Sequence, residues 1–492
     1  MAFRKIAFGT ALMSSVTVFR MMAQLLVIPV LSRLLSPADY GVVAMAMPFV
    51  LFTMMFTDAG VGQSLLRDTP ESGQESGSEN KPGNKDVWSS CFWLTIIIGT
   101  CFSLLVMLVA PLAAFFFKEP LLWPLVTTLA LVIIPQAAAT VPETYLRQNH
   151  KFGTIAWTEA VAIACGLIAA IIAAFEGGGA WALIAQQLAL YIMRFCLTFW
   201  RAGFRPRMVL KLRDLKEHLI FGRNVLGASF MMTLTQSQDN LIIGKMLGSW
   251  FLGFYTMAFL FVRLPLRLIT GPLEYVLYAH IAPLGDNKAL IRRIFLLLTR
   301  IQAILIFPAI GMVATAHHPL FELFLSKKWL PSGSLYMIAA PAAALQAMTA
   351  FSGAFMMALG RTDIQLRLNT EFCIFFAAAL LVFTRFGIAW AVVAYTLAVF
   401  FYFPRILMLT LPRLECPLSD YLRTLAVPVI VTMVCIMLYI NTTQSLAPDN
   451  WIRVLLGGGI AVLGITAGAL TQYRTLFNEI VTFDTVEAAD AA

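Results

Sequence analysis

The chain of 492 residues is dominated by apolar runs of about 20 residues or more, which recur along almost its whole length. A helix of about 20 apolar residues is long enough to cross the hydrocarbon core of a bilayer. Because no water reaches that core, the backbone groups of each run must bond within the run, as they do in a helix. We predict fourteen membrane-spanning helices, at residues 8–32, 40–66, 88–117, 121–146, 154–175, 180–203, 219–244, 251–280, 291–316, 333–358, 364–384, 387–411, 421–440 and 451–473.

Composition supports a polytopic membrane protein built from α-helices alone. Hydrophobic residues make up 60% of the chain and charged residues only 12%, whereas soluble proteins carry roughly 25% charged residues. The first apolar run, from Ile6, is too long for a secretory signal and contains Arg20, so we interpret it as an uncleaved span. Proline residues within the runs, Pro135 among them, can bend these helices.

The lysine and arginine residues are distributed unevenly between the two predicted sides of the membrane. Of the 35, 22 fall on the side of the N-terminus, seven on the other side and six inside the spans. Cytoplasmic loops carry the excess of Lys and Arg in membrane proteins. Both termini are therefore predicted to lie in the cytoplasm, which agrees with the even number of spans.

A repeat with an offset of 212 residues relates the turn after the first span to the turn after the seventh. At this offset Arg33 aligns with Lys245, Gly41 with Gly253 and Phe49 with Phe261. Six spans separate the two copies, so they point the same way, as in parallel repeats related by an axis along the membrane normal. We therefore predict two six-helix lobes at 1–203 and 218–411, a basic cytoplasmic linker at 204–217, two further spans within 412–474, and a cytoplasmic tail at 475–492.

Six arginines are assigned to the interior of the predicted spans, while Lys and Arg nearer the span ends are counted with the loops. Each mid-span charge costs roughly 2.5–3.5 kcal/mol on the insertion scale. Arg194 and Arg223, nearer the cytoplasmic side, are interpreted as snorkelling or paired with an acid. Four others lie deeper or share one helix face, and we predict that they line a cavity holding water or an anionic ligand: Arg20, Arg263, Arg267 and Arg300.

Five acidic residues are assigned to the spans: Asp58, Glu159, Asp239, Glu274 and Glu371. They nearly balance the arginines, so composition alone does not define an anion-binding cavity. Asp239 with Asn240, and Asp58, are candidate sites for a coupling ion, either H⁺ or Na⁺. Pairing of Asp239 with an arginine explains its position equally well.

No enzyme motif is present in the sequence. It contains no Walker loop, no His-Glu-x-x-His and no nucleophile elbow. We predict a protein that is not an enzyme and that has no cofactor or bound metal beyond a coupling ion.

Several motifs together resemble one family. Arg33-Leu-Leu-Ser-Pro-Ala-Asp-Tyr-Gly41, Asp58-Ala-Gly-Val-Gly62, Asp239-Asn-Leu-Ile-Ile-Gly244 and Leu252-Gly-Phe-Tyr255 are similar to segments of the Wzx-type polysaccharide transporters, in the WzxC-like branch. These transporters belong to the multidrug/oligosaccharidyl-lipid/polysaccharide (MOP) flippase superfamily. The resemblance covers about residues 5–410.

The resemblance implies a flippase of the bacterial inner membrane that works by alternating access and an ion gradient. Its substrate would be an undecaprenyl-pyrophosphate-linked oligosaccharide repeat unit, moved from the cytoplasmic to the outer leaflet for exopolysaccharide or lipopolysaccharide assembly. Membrane lipids, a polysaccharide polymerase and export machinery would be its partners, and nucleic acid would not. The pyrophosphate-binding role is assigned to Arg20, Arg263, Arg267 and Arg300 because of their depth in the spans.

Two other classes remain open at this point. A cation-coupled multidrug exporter of the same superfamily would use an acidic cavity centred on Asp58 or Asp239. A membrane glycosyltransferase or polymerase would need a catalytic surface near the membrane face, whereas the predicted outer connections are short.

Overall fold

The computed structural model describes residues 2–58, 65, 82–209, 216–281, 288–359, 361–446 and 449–473, and within them it is built from α-helices joined by short turns. The helices are α1 (Ala2–Leu34), α2 (Pro37–Asp58), α3 (Pro82–Phe117), α4 (Leu122–Ala130), α5 (Ile133–Gln148), α6 (Phe152–Phe175), α7 (Ala180–Ala202), α8 (Lys216–Leu247), α9 (Ser249–Ile281), α10 (Lys288–Thr315), α11 (His317–Phe324), α12 (Leu330–Ala358), α13 (Thr362–Phe383), α14 (Ile388–Thr410), α15 (Leu418–Leu446) and α16 (Asn450–Thr471).

The predicted all-helical membrane fold is confirmed. Each of the fourteen predicted spans overlaps a helix or a pair of helices, and the part of span 40–66 beyond residue 58 lies, apart from residue 65, outside the described residues. Within the described residues, twelve helical segments are long and apolar enough to cross a membrane. The other two predicted spans, 8–32 and 219–244, are helical as α1 and α8.

The fourth predicted span, 121–146, is not one continuous helix. It is divided into α4 and α5 by a turn at Leu131 and Val132. Pro135 lies in the first turn of α5. Proline has no N–H to donate to the carbonyl four residues earlier, which here belongs to Leu131, so the helix is interrupted at that point.

The chain divides into two compact units, residues 1–256 and 257–492. In the first unit α2 is central and packs against α3, α4, α5, α7 and α8. In the second unit α12 packs against α10, α11, α13 and α14, while α15 and α16 pack on α10 and on each other. The predicted lobe limits and the linker at 204–217 stay predictions, because compactness alone does not define a repeat.

The segment after α7 lies along the first turns of α3. The indole N–H of Trp93 donates to the carbonyl of Arg207 at 2.9 Å, and the Arg207 N–H donates to the Ser89 hydroxyl at 3.0 Å. The hydroxyl of Ser90 donates to the carbonyl of Val209 at 3.2 Å. Three hydrogen bonds therefore attach the start of the predicted linker to α3.

The residues of the family-like motif at 33–41 form the turn between α1 and α2, and Asp39 fixes this turn. The Asp39 carboxylate accepts the Ser36 N–H at 2.8 Å and the Ser36 hydroxyl at 2.6 Å, closing a cap at the start of α2. Its other oxygen accepts the Ala180 N–H at 2.9 Å, at the N-terminus of α7. One carboxylate thus satisfies free N–H groups of two helices, a position that favours negative charge.

The predicted repeat appears in the structure as a reciprocal close approach between α2 and the first turns of α9. A methyl group added at Gly41 would overlap the carbonyl oxygen of Ser249, and one added at Gly253 would overlap that of Pro37. At the repeat offset of 212, Pro37 corresponds to Ser249 and Gly41 to Gly253. Gly41 on α2 therefore faces the start of α9, and Gly253 on α9 faces the start of α2. The repeat makes these two helix starts equivalent. We call this contact the glycine crossing.

Candidate functional site

A network of buried charge crosses four helices of the first unit, with Arg194 of α7 at its centre. The Arg194 guanidinium contacts the carboxylate of Glu143, on α5, at 2.7 Å and that of Glu159, on α6, at 3.1 Å. Glu143 also pairs with Arg147, one turn further along α5, at 2.6 Å. Both glutamates are about nine-tenths buried, and each is neutralised by more than one arginine.

Arg20 of α1 completes this network through an ion pair with Glu159. α1 packs against α6, α6 against α7, and α7 against α5, so helix packing brings together residues that are far apart in the sequence. The Glu159 side chain is 8% exposed, whereas that of Arg20 is 52% exposed. The network therefore has a buried acidic interior and a guanidinium at its edge.

The network can present positive charge to a ligand. Three arginines and two glutamates leave one net positive charge. Charged side chains inside spans face the interior of the bundle or a water-filled cavity. An arginine has five N–H donors arranged to bind carboxylate or phosphate oxygens. Because the Glu159 contact fixes Arg20 while leaving half of its side chain exposed, the remaining donors suit an anionic group.

The other predicted arginines belong to the second unit. Arg263, on α9, lies over the ring of Phe259 with its guanidinium carbon 5.7 Å from the ring centroid. Arg300, on α10, is partly buried. Arg267 is part of α9, but its side chain lies outside the described residues. For these three positions, as for Arg20, the cavity-lining role stays a prediction.

Asp239, a candidate for ion coupling, is buried in α8. Its carboxylate accepts the Tyr255 hydroxyl at 3.0 Å and the backbone N–H of Asn240 at 2.9 Å. Asp239 belongs to the family-like motif at 239–244, and Tyr255, on α9, belongs to the one at 252–255. These two motifs therefore meet in the hairpin of α8 and α9. Asp58 ends α2, and its side chain lies outside the described residues. Ion coupling at these positions stays a prediction.

Glu143 was not predicted to take part, although it lies inside the predicted span at 121–146. It is a sixth acidic residue within the predicted spans. The available signal was its spacing of four residues from Arg147, which places both on one face of a helix. Arg194, interpreted from the sequence as either snorkelling or paired with an acid, is paired with two glutamates.

Comparisons with known proteins extend these observations. Residues 30–334 match the family model described as polysaccharide biosynthesis protein. Among curated proteins, the chain is 24% identical over 389 residues to the teichuronic acid biosynthesis protein TuaB of Bacillus subtilis, covering 78% of this chain and 77% of TuaB. It is 22% identical over 357 residues to the lipopolysaccharide biosynthesis protein WzxC of Escherichia coli, covering 72% and 70%.

A solved structure of the lipid II flippase MurJ, in an inward closed conformation, superposes with a TM-score of 0.74. The match covers 94% of this chain and 99% of MurJ at 14% identity, and it concerns the fold. The fold and the twelve apolar helical segments of the described residues thus define a multi-pass helical membrane protein. Because the family model spans more than half of the residues, the chain belongs to the polysaccharide biosynthesis protein family. The resemblance to Wzx-type transporters is confirmed.

Proposed function

We propose that this protein is a flippase that moves undecaprenyl-pyrophosphate-linked oligosaccharide repeat units from the cytoplasmic to the outer leaflet by alternating access. Family membership and the MurJ-like fold support transport in polysaccharide assembly rather than catalysis. The observation that carries the proposal is Arg20, half exposed at the edge of a charge network buried across four helices. A pyrophosphate needs such donors, and a cationic drug would be repelled by them.

Arg20 suits a diphosphate because its position is fixed before the substrate arrives. Inside the bundle, the Glu159 carboxylate pairs with the guanidinium of Arg194. The same carboxylate pairs with the guanidinium of Arg20. Charge-assisted hydrogen bonds from arginine to phosphate are about twice as strong as neutral ones. A side chain already oriented loses less conformational freedom on binding. Arg263, Arg267 and Arg300 are also proposed to bind anionic groups of the substrate, on the basis of their depth in the predicted spans.

The glycine crossing is proposed to close the outer side of the transport pathway. By the positive-inside rule, the turns that precede Pro37 and Ser249 lie on the outer side. Helix backbones approach closely where glycines remove the side chain. Opening toward the outside would separate α2 from the start of α9, and closing would bring the two glycines back into register.

Deletion in cells tests the proposed function. In cells lacking the protein we expect polymer to be lost and lipid-linked repeat units to accumulate on the cytoplasmic leaflet. Normal polymer together with new sensitivity to cationic drugs would instead favour the multidrug exporter of the same superfamily. A change in the linkage or composition of the sugar, with translocation intact, would favour a glycosyltransferase or polymerase.

Replacing Arg20 with glutamine is expected to lower transport roughly ten- to a hundredfold, because one charge-assisted contact of about 1.5–3 kcal/mol is lost. Arg147→Gln is the matched control. Each change removes a half-exposed arginine from a glutamate that keeps Arg194 as its partner. Polymer yield at equal protein level is the measurement. An equal loss in both variants would show that the network serves only stability.

Asp239 is proposed as the residue through which an H⁺ or Na⁺ gradient is coupled. Asp239→Asn keeps an oxygen that can accept the Tyr255 hydroxyl but removes the charge, so gradient-driven uptake into vesicles should be lost while protein level is unchanged. Tyr255→Phe removes only the hydroxyl and should retain most of the transport. Imposing a pH or a sodium gradient separately identifies the ion. Similar losses of folded protein in both variants would argue for a purely structural pair.

We further propose that the protein lies in the inner membrane with both termini in the cytoplasm, as the distribution of Lys and Arg indicates. A polysaccharide polymerase and export machinery are proposed to act on the repeat units after translocation. The relatives named for teichuronic acid and lipopolysaccharide biosynthesis support a place in such an assembly sequence.

A further inference from the structure

A cavity of about 510 Å³ lies where the end of α3 meets the end of α8, within the first unit. It is lined by Ala114, Phe115, Phe116, Lys118, Pro120 and Lys245. Two lysines from distant parts of the sequence thus line one largely apolar space. Both lysines are predicted to lie on the outer side of the membrane, which carries only seven of the 35 Lys and Arg residues.

Lys118 occupies a backbone conformation that favours glycine. Its φ is 58°, directly after α3 ends. The Lys118 N–H donates to the carbonyl of Phe115 at 3.3 Å, and the Glu119 N–H donates to that of Ala114 at 3.1 Å. This is the helix-ending pattern in which glycine is the usual residue. A lysine there costs roughly 1–2 kcal/mol in backbone strain, so a role for its side chain would explain its presence.

Neither ammonium group is neutralised by a carboxylate in the described part of the chain. Lys245 donates to the carbonyl of Phe116 and lies 4.2 Å from the centroid of that ring. Those contacts fix its position but leave its charge. Glu119, the acidic residue of the same turn, accepts the Ser249 hydroxyl at 2.9 Å. Glu119 does not line the cavity, so the lining contains two lysines and no acidic residue.

The surface beside this cavity is apolar and exposed. Leu108, Leu112 and Phe115 share one face of α3 and are mostly exposed, Phe115 by 85%. In a helix that crosses the membrane, such a face contacts lipid chains. The two lysines therefore lie at the end of a lipid-facing stripe, where the headgroup of a lipid would meet them.

We propose that Lys118 and Lys245 bind the phosphate headgroup of an anionic glycerophospholipid of the outer leaflet, whose acyl chains lie along Leu108, Leu112 and Phe115. The two cations supply charge complementarity for the phosphate, and the stripe supplies an apolar surface for the chains. A resident lipid is favoured over the transported glycolipid because Phe115, which lines the cavity, belongs to the exposed stripe of α3, whereas no residue of the Arg20 network lines it. This inference does not depend on the proposed transport function.

Native mass spectrometry of the full chain in detergent tests the site with three probes. Phosphatidylglycerol is expected to remain bound at least several-fold more often than phosphatidylcholine with the same acyl chains, and to raise the unfolding temperature. Inorganic phosphate alone is expected to do neither. Equal retention of the two lipids, or the same temperature shift with phosphate alone, would overturn the proposal.

The variant Lys118→Gly separates binding from folding. It removes the charge and also relieves the left-handed strain, so it should be at least as stable as the native chain without lipid, yet lose the preference for phosphatidylglycerol. Lys245→Gln should lose it as well. Lys327→Gln, another predicted outer lysine, should retain it. Unchanged binding of phosphatidylglycerol by the Lys118 and Lys245 variants would refute the site. Displacement of phosphatidylglycerol by an undecaprenyl diphosphate would also refute it, because the cavity would then be an exit for the transported lipid.

Discussion

Alanine at Gly41 or Gly253 is expected to abolish most transport, because the added methyl group would overlap a backbone carbonyl oxygen of the facing helix. A backbone atom cannot move aside as the end of a flexible side chain can. Forcing an extra methyl group into a packed contact typically costs about 1–3 kcal/mol. If that cost falls only on the closed arrangement of the crossing, it shifts the populations by roughly 5- to 150-fold.

The measurement combines polymer yield with accessibility of the region beneath the crossing. Met45 is fully buried there and packs against Gly244. In a background without the native cysteines, Met45→Cys should react with an impermeant thiol reagent added from outside only when Gly41 is replaced. Gly458→Ala is the matched control, because nothing lies within 4 Å of the added methyl group at that position of α16. Full transport by Gly41→Ala would contradict the role assigned to the crossing.

Glu159→Gln is expected to cost about 3–5 kcal/mol of stability, the usual penalty for removing one partner of a buried ion pair. Glu159 neutralises both Arg20 and Arg194. Without its charge, Arg194 retains Glu143, but Arg20 loses the partner that orients it. Transport should therefore fall further than the loss of folded protein alone explains.

Glu371 offers a control with similar chemistry and different burial. Its carboxylate also bridges two arginines, Arg367 at 2.8 Å and Arg405 at 3.1 Å, but its side chain is 36% exposed. Exposed ion pairs contribute little to stability. Glu371→Gln should therefore lower the unfolding temperature in detergent much less than Glu159→Gln. Equal shifts would show that burial does not set the strength of the network.

Much of the fold follows from the sequence because the bilayer limits the possible structures. A run of apolar residues longer than about 20 can satisfy its backbone in lipid only as a helix, so the helices were predicted from hydropathy. The repeat could be recognised because Gly41 and Gly253 admit no side chain and remain identical in both copies. The interruption at Leu131 depends on Pro135, whose effect on a helix can be a bend or a complete break.

The partners of the charged residues could not be predicted in the same way. Hydropathy places Arg20 and Glu159 inside spans, but it does not tell which faces of α1 and α6 pack together. These two residues are 139 positions apart in the chain, and their pairing depends on how α1 and α6 are arranged. Asp239 is similar: the sequence offered an ion or an arginine as its partner, and the structure adds the Tyr255 hydroxyl.

The most direct test of the central claim uses the purified protein in liposomes. A lipid-diphosphate-linked oligosaccharide with a fluorescent label on its sugar is placed in the outer leaflet, and the fraction protected from an added membrane-impermeant quencher is followed over time. We expect protection to rise with the native chain, to rise more slowly with Arg20→Gln, and to rise with Arg147→Gln at the native rate. Protection no faster than in protein-free liposomes, while an organic cation is taken up by the same vesicles, would contradict the account.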